Sequence, residues 1–307
     1  MTKDIERVVA CITAGGLAVV PTETVYGVGA DAEQPAAVER VFAVKGRPAD
    51  HPLIVHIGAA DDLGRWVAGI PPHAEVLAET CWPGPLTMLL RRSSRVPDAV
   101  TGGRDTVGIR IPAHPAALDV LARTGGGLAA PSANRYGAVS PTTVEHVLDE
   151  LGAVLDPATD VILDGGPSPV GVESTIIDCT VDPPQILRPG GIPTETVAEL
   201  LGQPLAAAAG PSRASGMMAS HYAPRARVHL VDRPADATSA ATRFGTAGID
   251  VRVIDGTGDL VGYARDLYAD LREADADGCT DIIAVLPPPI GLGHAIRDRL
   301  QKAAAKR

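Results

Sequence analysis

The stretch Thr106-Val-Gly-Ile-Arg-Ile-Pro112 decides how this chain folds. In an extended segment successive side chains point to opposite faces, so Val107, Ile109 and Ile111 share one face and Gly108 and Arg110 the other. Branched apolar residues on one side, closed by a proline, describe a strand with that side against a core. A charged side chain on the other face is costly to bury unless it is paired. Arg110 therefore requires either a carboxylate of the same chain or an anion held on the concave side of a sheet, with Gly108 leaving open space beside it.

Short apolar runs recur on both sides of this strand, at 17–20, 53–57, 86–90, 161–163, 175–178 and 185–187. Between them, apolar residues fall at helical spacing in 35–44, 73–79, 116–122 and 142–151, and Thr142 and Glu145 are placed for a capping box on the last. Ile5, Val8, Val9 and Ile12 line one face of a first helix that Gly15-Gly16 ends, and Asp4 and Glu6 disqualify that stretch as a secretory leader. The mixture predicts an α/β domain over 1–201. Residues 202–227 are rich in Ala, Gly, Pro and Ser, the composition of a linker. Beyond it, strands at 228–231, 251–254 and 281–286 alternate with helices at 235–244, 260–274 and 294–305, which predicts a small parallel, Rossmann-like α/β domain over 228–307.

Composition narrows the function. The chain has 307 residues, 45% of them hydrophobic and 21% charged, an ordinary globular balance that can bury a core without staples. Its four cysteines are far apart with no C-x-x-C pair, as expected of free thiols in the reducing cytoplasm. A net charge of -10 and 3% aromatic residues argue against a surface that binds nucleic acid stably. An anionic ligand must then meet a local cluster of cations. No apolar run is long enough to span a membrane. The chain carries no Walker phosphate loop, no G-x-S-x-G elbow and no H-E-x-x-H, and its eight histidines show no metal-ligand spacing.

Polar groups gather where the predicted strands end. Pro21-Thr-Glu-Thr-Val-Tyr-Gly27 follows the first strand and suits either a capped turn or a ligand loop. Lys45-Gly-Arg47-Pro48 closes a helix, where cations also complement the dipole. His56 ends an apolar run; Pro131-Ser-Ala-Asn134 leads through Ser140-Pro141-Thr142 into a helix; Ser174 and Arg188 stand at two more strand boundaries. Such recurrence in a sheet protein points to one shared cavity.

Taken together, these motifs and their order resemble the YrdC-like threonylcarbamoyl-AMP synthase family. The pieces are P-T-E-T-V-Y-G, K-G-R-P, P-L-I-V-H, W-P-G-P-L-T, V-G-I-R-I-P, A-P-S-A-N, S-P-T, G-V-E-S-T-I-I-D and I-L-R-P-G, spread over residues 5–200. Ser215-Gly-Met-Met-Ala-Ser-His-Tyr-Ala-Pro224 and Gly291-Leu-Gly-His-Ala-Ile-Arg-Asp-Arg-Leu300 resemble the linker and C-terminal domain of the family's long form. Three positions depart from the pattern: Tyr136 where a serine is common, Ser215-Gly216 without an intervening proline, and Pro289-Ile290 where an acidic residue is common. The resemblance implies a twisted mixed sheet with a concave positive cavity. Lys45, Arg47, Ser132, Asn134, Ser140 and Arg188 would meet ATP, and Thr22, Tyr26, His56, Arg110 and Ser174 would hold L-threonine. Tyr222 would face inward from a lid formed by the linker, with Met217 and Met218 beside it. The implied activity is that of a nucleotidyltransferase that uses L-threonine, bicarbonate and ATP, with Mg²⁺ carried on the phosphates. Its product would pass to a threonylcarbamoyl transferase acting on tRNA.

Overall fold

The computed structural model describes residues 2–206 and 221–305. The first half runs α1 (Thr2–Thr13), β1 (Ala18–Val20), β2 (Gly27–Asp31), α2 (Pro35–Lys45), β3 (Ile54–His56), α3 (Leu63–Trp66), α4 (Pro72–Cys81), β4 (Leu86–Arg91), α5 (Asp98–Thr101), β5 (Thr106–Arg110) and α6 (Pro115–Thr124). Then follow β6 (Leu128–Ala129), α7 (Val144–Leu151), β7 (Val161–Ile162), β8 (Thr175–Asp178), β9 (Gln185–Arg188) and α8 (Thr194–Leu201). The described residues after 220 form β10 (Arg227–Val231), α9 (Pro234–Thr246), β11 (Val251–Ile254), α10 (Leu260–Ala276), β12 (Asp281–Val285) and α11 (Gly293–Ala304).

Nine strands make one mixed sheet in the order β7-β1-β2-β6-β3-β5-β4-β8-β9. β5 lies inside it, between β3 and β4. Val107, Ile109 and Ile111 are buried in the main core with Val55 and Met88, as their alternation requires. The parallel pairing of β3 with β5 sets Ile54 against Gly108 and His56 against Arg110, so His56 and Arg110 stand side by side on the same face. The space beside Gly108 is not open, contrary to the sequence reading. A Cβ there would come 3.2 Å from Thr87 Cγ2 and 3.5 Å from Ile54 Cγ1, so the glycine is a packing position.

Two strands escaped the sequence reading. β2 is Gly-Val-Gly-Ala-Asp, with too little side chain to show alternation. Its Gly29 sits so close to the neighbouring strand that a Cβ would lie 2.7 Å from that of Ala130. β6 is two residues long and pairs with both β2 and β3. The α7 cap also moves by one residue. Thr143, not Thr142, accepts the His146 N–H (3.4 Å), while the Thr142 N–H turns to His146 Nδ1.

β10, β12 and β11 form the small parallel sheet, in that order. It does not hang from a tether. Val25, Val139 and Val172 of the large-sheet unit share one apolar cluster with Leu267, Tyr268, Leu271, Ile296 and Leu300 of α10 and α11. Gly171, in the left-handed region at φ 77°, lets the chain approach α10 so closely that a Cβ would lie 2.2 Å from the Arg265 carbonyl oxygen. Among the described residues no helix is long and apolar enough to cross a membrane.

Candidate active site

One cavity of about 600 Å³, open to solvent, gathers most of the residues singled out from the sequence. Its floor is the face of β3 and β5 that carries His56 and Arg110. The loop after β1 supplies Thr22, Thr24 and Val25; the end of α2 supplies Lys45 and Arg47; the loop after β6 supplies Ser132, Asn134 and Tyr136. Glu173 and Ser174 enter ahead of β8, Arg188 from the end of β9, and His221 and Tyr222 from the chain leading to the small sheet.

Arg110 has the same-chain carboxylate that one of its two sequence readings requires, and it also stands at the cavity that the other requires. It donates to Glu23 Oε1 (2.6 Å) and to the Gly84 carbonyl (3.2 Å), and it still lines the cavity. Burial opposes ionisation of Glu23, but the Arg110 charge and hydrogen bond and the Ala113 N–H (3.0 Å) outweigh it, so its carboxyl is held below the ordinary range. Beside Arg110, His56 is buried with no partner for Nδ1 among the described residues, and burial followed by the Arg110 charge pushes its pKa down to about 3.

The cationic end is equally enclosed. Lys45 Nζ donates to the Ser132 carbonyl (2.5 Å) and to that of Asn134, and burial, with Arg47 nearby, lowers its pKa well below the ordinary lysine value. Burial also lowers Arg47, to about 10; its guanidinium donates to the Pro52 carbonyl (3.1 Å) and lies 5.8 Å from the Tyr136 ring centre. The Tyr136 hydroxyl meets His51 Nδ1 at 2.9 Å, so the residue that departs from the family pattern joins two loops at the rim. The Asn134 amide donates to the Arg135 and Ala138 carbonyls (2.8 and 2.9 Å), while its Oδ1 is buried without a partner among the described residues. Arg188 braces Ser174, donating to its carbonyl (2.8 Å) and hydroxyl (3.2 Å), and Ser174 Oγ meets Thr87 Oγ1 at 2.7 Å. Thr22 Oγ1 is tied into its own turn, donating to the Val25 carbonyl (2.6 Å).

Two sequence candidates stand behind the wall instead of in it. The Tyr26 hydroxyl donates to the Gly166 carbonyl (2.7 Å) and receives the Gly165 N–H (3.1 Å), fastening a turn. Ser140 is fully buried and donates to Glu173 Oε1 (2.6 Å). Sequence reasoning gave no site role to Glu23, Glu173 and Arg299, whereas it set His221 beside Tyr222 in the linker that covers the ligand. The two glutamates were visible within P-T-E-T and G-V-E-S-T, but their partners lie 87 and 126 residues away. Tyr222, the inward tyrosine of the sequence reading, is 1% exposed and the only described non-glycine residue with positive φ, 60°. Met217 and Met218 lie outside the described residues.

Residues 10–190 match the sequence profile of the Sua5/YciO/YrdC family, described as "Telomere recombination", and residues 192–305 match one described as "Threonylcarbamoyl-AMP synthase, C-terminal domain". The chain belongs to the Sua5/YciO/YrdC family. Curated members similar to it are the threonylcarbamoyl-AMP synthase of Pyrococcus abyssi, 41% identical over 96% of this chain and 92% of that protein, and that of Bacillus subtilis, 38% identical over 94% and 89%. The crystal structure of P. abyssi Sua5 complexed with L-threonine superposes with a TM-score of 0.91 at 40% identity, covering 98% of this chain and 94% of the other. The Sua5 likeness thus extends through both sheets, as the two profile matches do.

Proposed function

We propose that the protein is an L-threonylcarbamoyladenylate synthase, which joins L-threonine, bicarbonate and ATP into threonylcarbamoyl-AMP and pyrophosphate. One observation carries the reading. Lys45, Arg47, Arg110 and Arg188, each no more than 7% exposed, line a single cavity in a chain whose net charge is -10. A site of that kind is built for a small, highly anionic ligand. The likeness to the threonine-bound P. abyssi structure supports the amino acid as the second substrate.

The chemistry needs neutralisation and placement more than a strong base. The threonine amine takes up carbon dioxide derived from bicarbonate and loses a proton, giving a carbamate. A carbamate oxygen then attacks the α-phosphorus of ATP, and the bond to pyrophosphate breaks with its electrons leaving on pyrophosphate. We assign Thr22, His56, Arg110 and Ser174 to threonine, and Lys45, Arg47, Ser132, Asn134, Arg188 and Tyr222 to the nucleotide. An ammonium has three donors; two of those on Lys45 meet carbonyls, which leaves one for a phosphate oxygen. Tyr26 and Ser140 support the wall from behind. Among the described residues no three His, Cys, Asp or Glu side chains converge on a point, a donor set that leaves Mg²⁺ to the phosphate oxygens on which it arrives.

In this reading residues 1–201 form the catalytic unit, 202–227 the connection that ends in the His221–Tyr222 wall, and 228–307 a docked accessory unit. The enzyme is a cytoplasmic nucleotidyltransferase that binds no nucleic acid stably and hands its product to a threonylcarbamoyl transferase acting on tRNA. Pyrophosphate release from ATP is expected to require both L-threonine and bicarbonate. Equal release with L-serine, or with neither substrate, would overturn the assignment.

A further inference from the structure

Among the described residues Glu173 is the one carboxylate in the wall of a cavity whose other charged side chains are Lys45, Arg47, Arg110 and Arg188, the wrong sign for a site that receives a triphosphate. Burial opposes its ionisation, but Arg299 above all, then Arg188 and the Ser140 hydroxyl, hold its pKa at about 2. Its Oε1 accepts from Ser140 (2.6 Å), and its Oε2 accepts from the Tyr268 hydroxyl (2.8 Å) and Arg299 Nε (2.7 Å). Tyr268 and Arg299 belong to α10 and α11, so the small-sheet unit supplies the counter-charge. Arg299 is fully buried and reaches further. It donates to the Pro189 carbonyl (3.0 Å), beside Arg188, and its guanidinium lies 5.1 Å from the centre of the Tyr222 ring. That ring also stacks on Tyr268 at 5.6 Å, and Tyr222 holds a backbone conformation unusual for a residue with a side chain.

We propose that Arg299 is a positioning residue of the active site: from behind the wall it cancels the charge of Glu173 and fixes the Tyr222 ring, and so sets the cavity's affinity for the anionic nucleotide. The proposal rests on the synthase reading above. It gives the small-sheet unit a role in nucleotide binding although none of its helices or strands enters the cavity. A plain packing pair would behave differently, because exchanging both partners for neutral ones and removing only the cation would then differ in stability alone.

The test compares the wild-type protein with Arg299→Met, Arg299→Lys, Glu173→Gln and the double variant E173Q/R299M. ATP affinity is read by calorimetry, turnover by pyrophosphate release, and folding by thermal melting. Arg299→Met is expected to weaken ATP binding by about tenfold or more, since it leaves an uncompensated buried charge facing the ligand. The double variant is expected to return within a few-fold of wild type, and Arg299→Lys to fall between. With Arg299 gone, burial favours the protonated form of Glu173, so the loss is expected to shrink as pH is lowered. Of the other groups facing it, His221 is pushed down to about 3, Tyr222 up to about 12 and Tyr268 well above its ordinary value, all chiefly by burial. A folded Arg299→Met with wild-type ATP affinity, or a double variant no better than Arg299→Met, would overturn the proposal. If Arg299→Met does not fold, Glu173→Gln decides, since it must bind ATP as tightly as wild type or more tightly, and a tenfold loss there refutes the electrostatic role. The synthase reading fails separately, in the wild-type protein, by an absence of threonine-dependent pyrophosphate release.

Discussion

Arg110 is paired inside the fold and is also the residue proposed to hold threonine, and its partner changes what its removal does. Taken alone, removing a buried charge relieves its burial cost. Here it strands the carboxylate of Glu23, which keeps backbone N–H donors but loses its counter-charge. Breaking one side of a buried pair costs about 3–5 kcal/mol. Arg110→Ala is therefore expected to lower both threonine affinity and the melting temperature, and E23Q/R110A to recover melting temperature but not threonine affinity. Threonine titration and a thermal melt on both proteins check this. Lys45 gives a second prediction. Its pKa is lowered by burial, and a bound phosphate raises it again. ATP binding should take up a proton wherever the unliganded lysine is neutral, so affinity falls as pH rises through the lowered lysine range. Calorimetry in two buffers of different ionisation enthalpy measures the uptake, and Lys45→Arg should abolish it.

Elements were legible in proportion to the side chains that carry their pattern. β5, β8 and β11 stand where their apolar residues put them, and the small parallel sheet follows from alternation of strands and helices. β2 and β6 were not legible, because a strand of glycine and alanine and a strand of two residues show no period; their existence is decided by neighbours far away in sequence. The site divides in the same way. Cationic and hydroxyl residues at strand ends could be read as a group, whereas the pairing of Glu173 with α11 could not, since no local rule links positions 126 apart. Gly171 joins the two scales. A methyl group at this position would meet the backbone of α10 and also strain a left-handed φ. Gly171→Ala is expected to force α10 away from the segment that carries Glu173, lowering the melting temperature and pyrophosphate release together. Unchanged values of both would mean that the two units are not locked at this point.

At the scale of the molecule, an acidic chain conceals a cationic centre, and the concealment shapes its response to pH. His56 and His221 are neutral in the fold, with pKa values near 3 against 6.5 when exposed, so they stabilise it fully above pH 6.5 and lose that contribution as pH falls toward 3. Glu23 and Glu173, lowered from 4.5, add a second loss that for Glu173 extends to about 2. Asp270, raised by burial to about 6, works the other way, favouring the fold below that pH, and offsets part of the histidine loss. The urea midpoint should decline as pH falls below 6.5, and His56→Gln should flatten the decline between 6.5 and 4.5. The distance along the chain from Glu173 to Arg299 also has a meaning in time. A ribosome adding about 5–20 residues per second delivers the carboxylate roughly 6–25 s before the guanidinium that will neutralise it. Until then Glu173 is hydrated or protonated, and on the proposal above the cavity is tuned to hold ATP only after α11 has been made and docked.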